Sequence, residues 1–220
     1  MATLLFLRWD GRSVAVLGLD LSWRRGCEFI AGLGGGALLI SIVALGAGLV
    51  LPFPWVRNPA FEPAALASAF LYFIISNGTE ELVFRGYGFE RLIAGIGHWP
   101  TQLVTAFLFA LFHILSGWPW QTALLGTTVG SLLFGLVFVR WRSIPAALGV
   151  HVAGNAMRGL LFDDPPTART FFAPLAPRPW TRAEQLLAAL IHAGVTLLFC
   201  LVLMRWIQKK RRKAFFERLD

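Results

Sequence analysis

Residues 64–85 read AALASAFLYFIISNGTEELVFR, an apolar run that closes on two adjacent carboxylates, Glu80 and Glu81, followed by Arg85. Nothing from Ala64 to Ser76 is charged, and another apolar stretch begins soon after Arg85. A carboxylate at the centre of a membrane helix costs roughly 2.5–3.5 kcal/mol to insert. That cost is normally tolerated only where the side chain faces a protein interior or a watery cavity and does chemistry there. The pair therefore points to a membrane protein with a reaction site inside its helices.

The rest of the chain agrees. Of 220 residues 56% are hydrophobic, and the mean hydropathy is +0.64, which excludes an ordinary soluble domain. Crossing a ~30 Å hydrocarbon core takes about 20 helical residues. Stretches of that kind fall at about 28–52, 63–84 (continuing toward 94), 101–117, 121–140, 144–162 and 184–207. The expected fold class is all-α, a polytopic membrane helix bundle of about six transmembrane helices. It divides into an interfacial amphipathic segment at 1–26, an integral membrane domain at 27–208 and a basic tail at 209–220. Residues 1–26 carry charges throughout and lack the long apolar core of a cleavable signal peptide.

Charge placement tests the count. Six spans put both termini on one side, which the positive-inside rule makes the basic one. That side holds Arg8, Arg12, Arg24, Arg25, Arg85, Arg91, Arg140, Arg142, Arg205, Lys209, Lys210, Arg211, Arg212, Lys213 and Arg218, whereas Arg57, Arg169, Arg178 and Arg182 lie opposite and Arg158 lies within a span. Both termini are therefore expected in the cytoplasm. The net charge of +8 reports orientation, with the 209–213 run resting on anionic headgroups; no nucleic-acid partner is expected. Eight of the nine tryptophans, all but Trp9, lie at or near proposed span ends, where the indole ring sits half buried with its N–H wet.

Cys27 and Cys200 are far apart and have no metal-type spacing. Gly32/Gly36 and Gly126/Gly130 have the small-xxx-small spacing that lets helices approach closely, read as packing within the bundle. The proline-rich connection from Asp163 to Thr181 reads as a stiff extracytoplasmic link or lid.

Three polar motifs carry the chemistry. On a helix Glu81 and Arg85 are i, i+4 neighbours that can pair, while Glu80 points about 100° away and is left to face a cavity. Phe109-Ala110-Leu111-Phe112-His113 closes the third span. His151 and Asn155 are i, i+4 in the fifth and share a face. His98 and His192 read as packing residues. If the second helix ended at Phe84, Glu80 would lie near one edge of the bilayer and His113 roughly 18 Å deeper. Continuing that helix to about Ala94 removes the conflict and is the expected arrangement. One carboxylate, two histidines and an Asn amide can deprotonate a water and donate to the oxyanion formed on an attacked carbonyl. Alternatively, a Glu with two His can hold a catalytic zinc with an open position; for that, Glu80, His113 and His151 are the candidates.

Glu80-Glu81-x-x-x-Arg85, Phe109-x-x-x-His113 and His151-x-x-x-Asn155, in that order over about residues 64–160, resemble the signature of the CPBP family, the CAAX proteases and bacteriocin-processing enzymes. The resemblance implies an intramembrane endopeptidase acting on a membrane-anchored protein or peptide in the lipid bilayer. Glu80 and His113 would activate water, His151 and Asn155 would form the oxyanion hole, and Glu81 and Arg85 would support them. Family members have been described both as metalloproteases and as metal-free glutamate proteases; Asn155, a better oxyanion donor than ligand, favours the form without a cofactor. The chain is shorter than the eukaryotic prenyl-protein proteases, a compact form that points to a bacterial inner membrane. Two competing readings use the same residues: a proton-coupled transporter, for which no internal repeat is found, and a non-catalytic bacteriocin immunity or scaffold protein.

Overall fold

The computed structural model describes residues 2–50, 55–162, 167–174 and 180–216. Among the described residues the fold is all-α apart from one short ribbon. In chain order come α1 (Ala2–Trp9), a 3₁₀ turn (Val14–Leu17), α2 (Trp23–Val50), β1 (Trp55–Arg57), α3 (Pro63–Phe84), α4 (Tyr87–Ile96), α5 (His98–Leu115), α6 (Trp120–Thr122), a π turn (Ala123–Thr127), α7 (Thr128–Trp141), α8 (Ile144–Phe162), β2 (Phe172–Pro174) and α9 (Arg182–Phe216).

Among the described residues four stretches are long and apolar enough to cross a membrane: Trp23–Val50, His98–Leu115, Trp120–Trp141 and Arg182–Lys209. The other two expected spans exist as helices of 22 and 19 residues, α3 and α8, outside this apolar set. They are the helices that carry Asn77, Glu80, Glu81, His151, Asn155 and Arg158. Their polarity is therefore concentrated where the candidate chemistry is. The helical backbone of α9 runs on through Phe216, so part of the expected basic tail continues the last helix.

Helix α7 is the packing centre. Leu133, Phe134, Leu136, Val137 and Phe138 are buried in one cluster with Leu39, Ile40 and Val43 of α2, Phe89 of α4, Ile144, Ala147 and Val150 of α8, and Cys200 and Leu203 of α9. Leu7 and Leu17 from the N-terminal segment join it, while Leu5 and Trp9 on the same segment stay exposed, as suits a helix lying at an interface.

Glycines set the closest helix contact. A Cβ at Gly32 would lie 2.3 Å from the Ala146 carbonyl oxygen, one at Gly36 2.5 Å from that of Val150, and one at Gly149 2.2 Å from that of Phe29. Helices α2 and α8 thus touch backbone to backbone, and α8 holds two of the motif residues. The other pair, Gly126 and Gly130, makes no such approach: nothing lies within 4 Å of a Cβ at Gly126. Replacing Gly32 by Val is expected to destabilise the fold by about 1–3 kcal/mol, the usual cost of overpacking. Gly34→Ala, with nothing within 4 Å, is expected to leave thermal unfolding in detergent unchanged or slightly raised. Equal melting temperatures for Gly32→Val and wild type would refute the close packing.

Of the connection expected to act as a lid, residues 163–166 and 175–179 lie outside the described residues. The part between them pairs antiparallel with the α2–α3 link, Arg57 opposite Phe172 and Val56 opposite Ala173. Buried Asn58 fastens it by donating through Nδ2 to the carbonyls of Thr167 (3.0 Å) and Thr170 (2.8 Å).

Candidate active site

The sequence reading runs the second helix unbroken to about Ala94. Instead, α3 ends at Phe84 and the chain turns at Arg85 and Gly86 before α4 begins. The residues still come to one level. The Phe84 ring packs against Phe109 at 4.9 Å and Phe112 at 6.0 Å between centroids, so the end of α3 lies beside the last turns of α5. Helix α4 follows as a separate ten-residue element, about 15 Å long at 1.5 Å per residue.

Glu81 and Arg85 are wholly buried, at 0% exposure each. Arg85 donates through Nη1 to Glu81 Oε1 (3.3 Å) and through Nη2 to the Ser131 carbonyl (2.9 Å) and hydroxyl (2.6 Å). Its guanidinium lies 5.0 Å from the centroid of Phe109 and 5.3 Å from that of Phe134. These ring faces partly replace lost hydration, which a buried ion pair needs in order to offset its desolvation. His151 of α8 completes the row: Nδ1 lies 2.8 Å from Glu81 Oε1 and Nε2 3.8 Å from Glu80 Oε2. Its ring is stacked on Phe134 at 4.3 Å. Opposite a carboxylate that already accepts from Arg85, Nδ1 is the donor, and Nε2 is turned toward Glu80.

Glu80 differs from its neighbour. Its side chain is 19% exposed, and Oε2 is buried with no hydrogen-bond partner. Asn155, one turn beyond His151, donates through Nδ2 to Asn77 Oδ1 at 3.1 Å. Asn77 Nδ2 and Glu81 Oε2 are also buried without partners, so hydrogen-bonding capacity is left over at the site.

His113 sits at the margin. Its Nδ1 lies 2.8 Å from the Phe109 carbonyl; a carbonyl only accepts, so Nδ1 carries a proton, and in the neutral form of such a ring the lone pair is on Nε2. Trp118 packs edge-on against the ring at 5.0 Å. His113 makes no ion pair with either carboxylate among the described residues and reaches the cluster through Phe109, whose centroid is 4.5 Å from His113 and 5.9 Å from His151. Among the described residues no three His, Cys, Asp or Glu side chains converge as a metal ion requires. Glu80, His113 and His151 therefore do not fit a zinc site as they stand.

Of the residues singled out from sequence, Glu80, Glu81, Arg85 and His151 form one connected group, Asn155 adjoins it, and His113 flanks it. Asn77, Ser131, Phe134 and Trp118 were not foreseen. Asn77 had a signal in its i, i+4 spacing from Glu81. Ser131 had none, because a serine in a helix rich in small residues is ordinary.

A row of titratable and hydrogen-bonding side chains thus lies between helices α3, α5, α7 and α8. Residues 62–157, a stretch that carries all six motif residues, match the family model described as Type II CAAX prenyl endopeptidase Rce1-like. The resemblance carried by the three motifs is therefore upheld. No curated protein and no solved structure matches the chain.

Proposed function

We propose that the protein is a metal-free intramembrane endopeptidase that hydrolyses a peptide bond near the lipidated C-terminus of a membrane-anchored protein. The observation that carries this reading is the Arg85–Glu81–His151–Glu80 row, because it fixes one carboxylate and leaves the other beside an imidazole N–H. The 3.8 Å between His151 Nε2 and Glu80 Oε2 exceeds a direct hydrogen bond. Both groups can thus address one substrate carbonyl, the nucleophile on the side of Glu80 and the oxygen on the side of His151.

Glu80 takes a proton from the attacking water, while Nε2 of His113 accepts the other hydrogen and orients the molecule. The water oxygen bonds to the carbonyl carbon. Charge moves onto the carbonyl oxygen, which accepts from His151 Nε2–H and from the second Nδ2–H of Asn155. Asn77 holds the first. When the tetrahedral intermediate collapses, the C–N bond breaks and Glu80 returns its proton to the leaving amine, giving a carboxylate and an amine. Glu81 and Arg85 touch no reacting atom; they hold His151 in place. The charge distribution supports cytoplasmic termini in a cell membrane.

The test is cleavage of a prenylated peptide ending in a CAAX sequence by full-length protein in lipid nanodiscs, with products read by mass spectrometry. Cleavage that persists in a chelator, by protein with well under one metal per chain on elemental analysis, is the expected result. One tightly bound zinc per chain, with activity lost on chelation and restored by zinc, would overturn the metal-free chemistry.

A further inference from the structure

We infer that Thr3, in the N-terminal helix and outside the matched family segment, is a positioning residue for the catalytic row; the inference rests on the peptidase reading above. The Thr3 hydroxyl donates to the Leu82 carbonyl at 2.9 Å and accepts from the Tyr87 N–H at 3.4 Å. In an uninterrupted helix the Leu82 carbonyl would take the N–H of Gly86, four residues on. Thr3 occupies it instead and stitches the two ends of the break together from 79 residues away. No side chain fits at the break: a Cβ on Gly86 would lie 2.1 Å from the Leu82 oxygen and 2.4 Å from Thr3 Oγ1.

The break decides where Arg85 points. Arg85 is the last residue bonded into α3, through its N–H to the Glu81 carbonyl at 2.8 Å, and its backbone is no longer helical (φ −124°, ψ 7°). From that conformation its guanidinium spans Glu81 and Ser131, and Glu81 in turn holds His151. Helix α1 is docked well enough to act as a strut. Phe6 stacks on Tyr87 at 5.4 Å, the Tyr87 hydroxyl donates to Asp10 at 2.8 Å, Arg12 and Arg91 pair with Glu90 and Asp10 at 3.7 Å each, and Leu7 is buried.

The experiment compares Thr3→Val, which keeps the shape and loses the hydroxyl, with Thr3→Ser, which keeps it. Both are made in the full chain in nanodiscs. Expected for Thr3→Val is a kcat about tenfold lower with KM within about twofold, the signature of an interaction that acts in the transition state, and near-complete recovery in Thr3→Ser. A second readout needs no turnover: the ¹⁵N resonances of the His151 ring report its bond to Glu81, and they are expected to move in Thr3→Val and return in Thr3→Ser. Should Thr3→Val fail to fold, Thr3→Ala is read in the same way. Wild-type kcat and unmoved His151 resonances in a folded variant lacking the hydroxyl would overturn the inference, as would equal losses in the Val and Ser variants. A wild-type protein that cuts no peptide would sink the peptidase reading alone, leaving the ring resonances to decide the role of Thr3.

Discussion

Glu80→Gln is expected to lower peptide cleavage by about 10²–10⁴-fold, the range supplied by a positioned general base, while the protein folds and melts like wild type. The second half of that expectation separates the two adjacent carboxylates. Glu80 is partly exposed, its Oε2 makes no hydrogen bond, and His151 Nε2 lies 3.8 Å from it, so an isosteric amide removes little native structure. A Gln there still hydrogen-bonds water and cannot take its proton. The measurement is single-turnover cleavage of the prenylated peptide, with thermal unfolding of the same preparation in parallel. Activity within tenfold of wild type in the folded variant would remove Glu80 from its proposed role. Accumulation of an uncleaved membrane protein in cells carrying the variant would identify the substrate, which is held but not cut.

Arg85→Met is expected to do the opposite, costing about 3–5 kcal/mol of stability, because removing one partner of a buried pair leaves an uncompensated charge. Glu81 and Arg85 are both at 0% exposure, and without the guanidinium the carboxylate would keep only its bond to His151. The double variant Glu81→Gln, Arg85→Met is expected to be more stable than Arg85→Met alone, since an apolar side chain among Phe84, Phe109 and Phe134 meets no stranded charge. Thermal unfolding of the three proteins in one detergent decides it. A single variant as stable as wild type would show that the pair contributes no buried electrostatics, and a double variant worse than the single would show that shape outweighs charge. Neither variant is expected to hold His151 in the catalytic orientation, so both should be inactive.

Much of this was legible in the chain. Helix positions came from length and apolarity, and the expected spans at 28–52, 101–117 and 121–140 differ from Trp23–Val50, His98–Leu115 and Trp120–Trp141 by a few residues. The unequal fates of Glu80 and Glu81 followed from the helical step of 100° and the i, i+4 position of Arg85, which are local geometry. The pairing of Asn155 with Asn77 and the two-stranded ribbon did not follow. Strands of three residues leave no readable periodicity, and β1 and β2 pair across more than a hundred residues.

The sequence by itself determined the membrane setting, the helical class and the identity of the six motif residues, because apolar run length and i, i+4 spacing are properties of a single helix. Only the tertiary structure decided how Glu80, Glu81 and His151 meet and where the helix after Arg85 breaks. At the break the Leu82 carbonyl accepts from the hydroxyl of Thr3, 79 residues away, and the Glu81–His151 bond spans 70 residues. Both depend on partners brought together by packing, which helical periodicity does not encode.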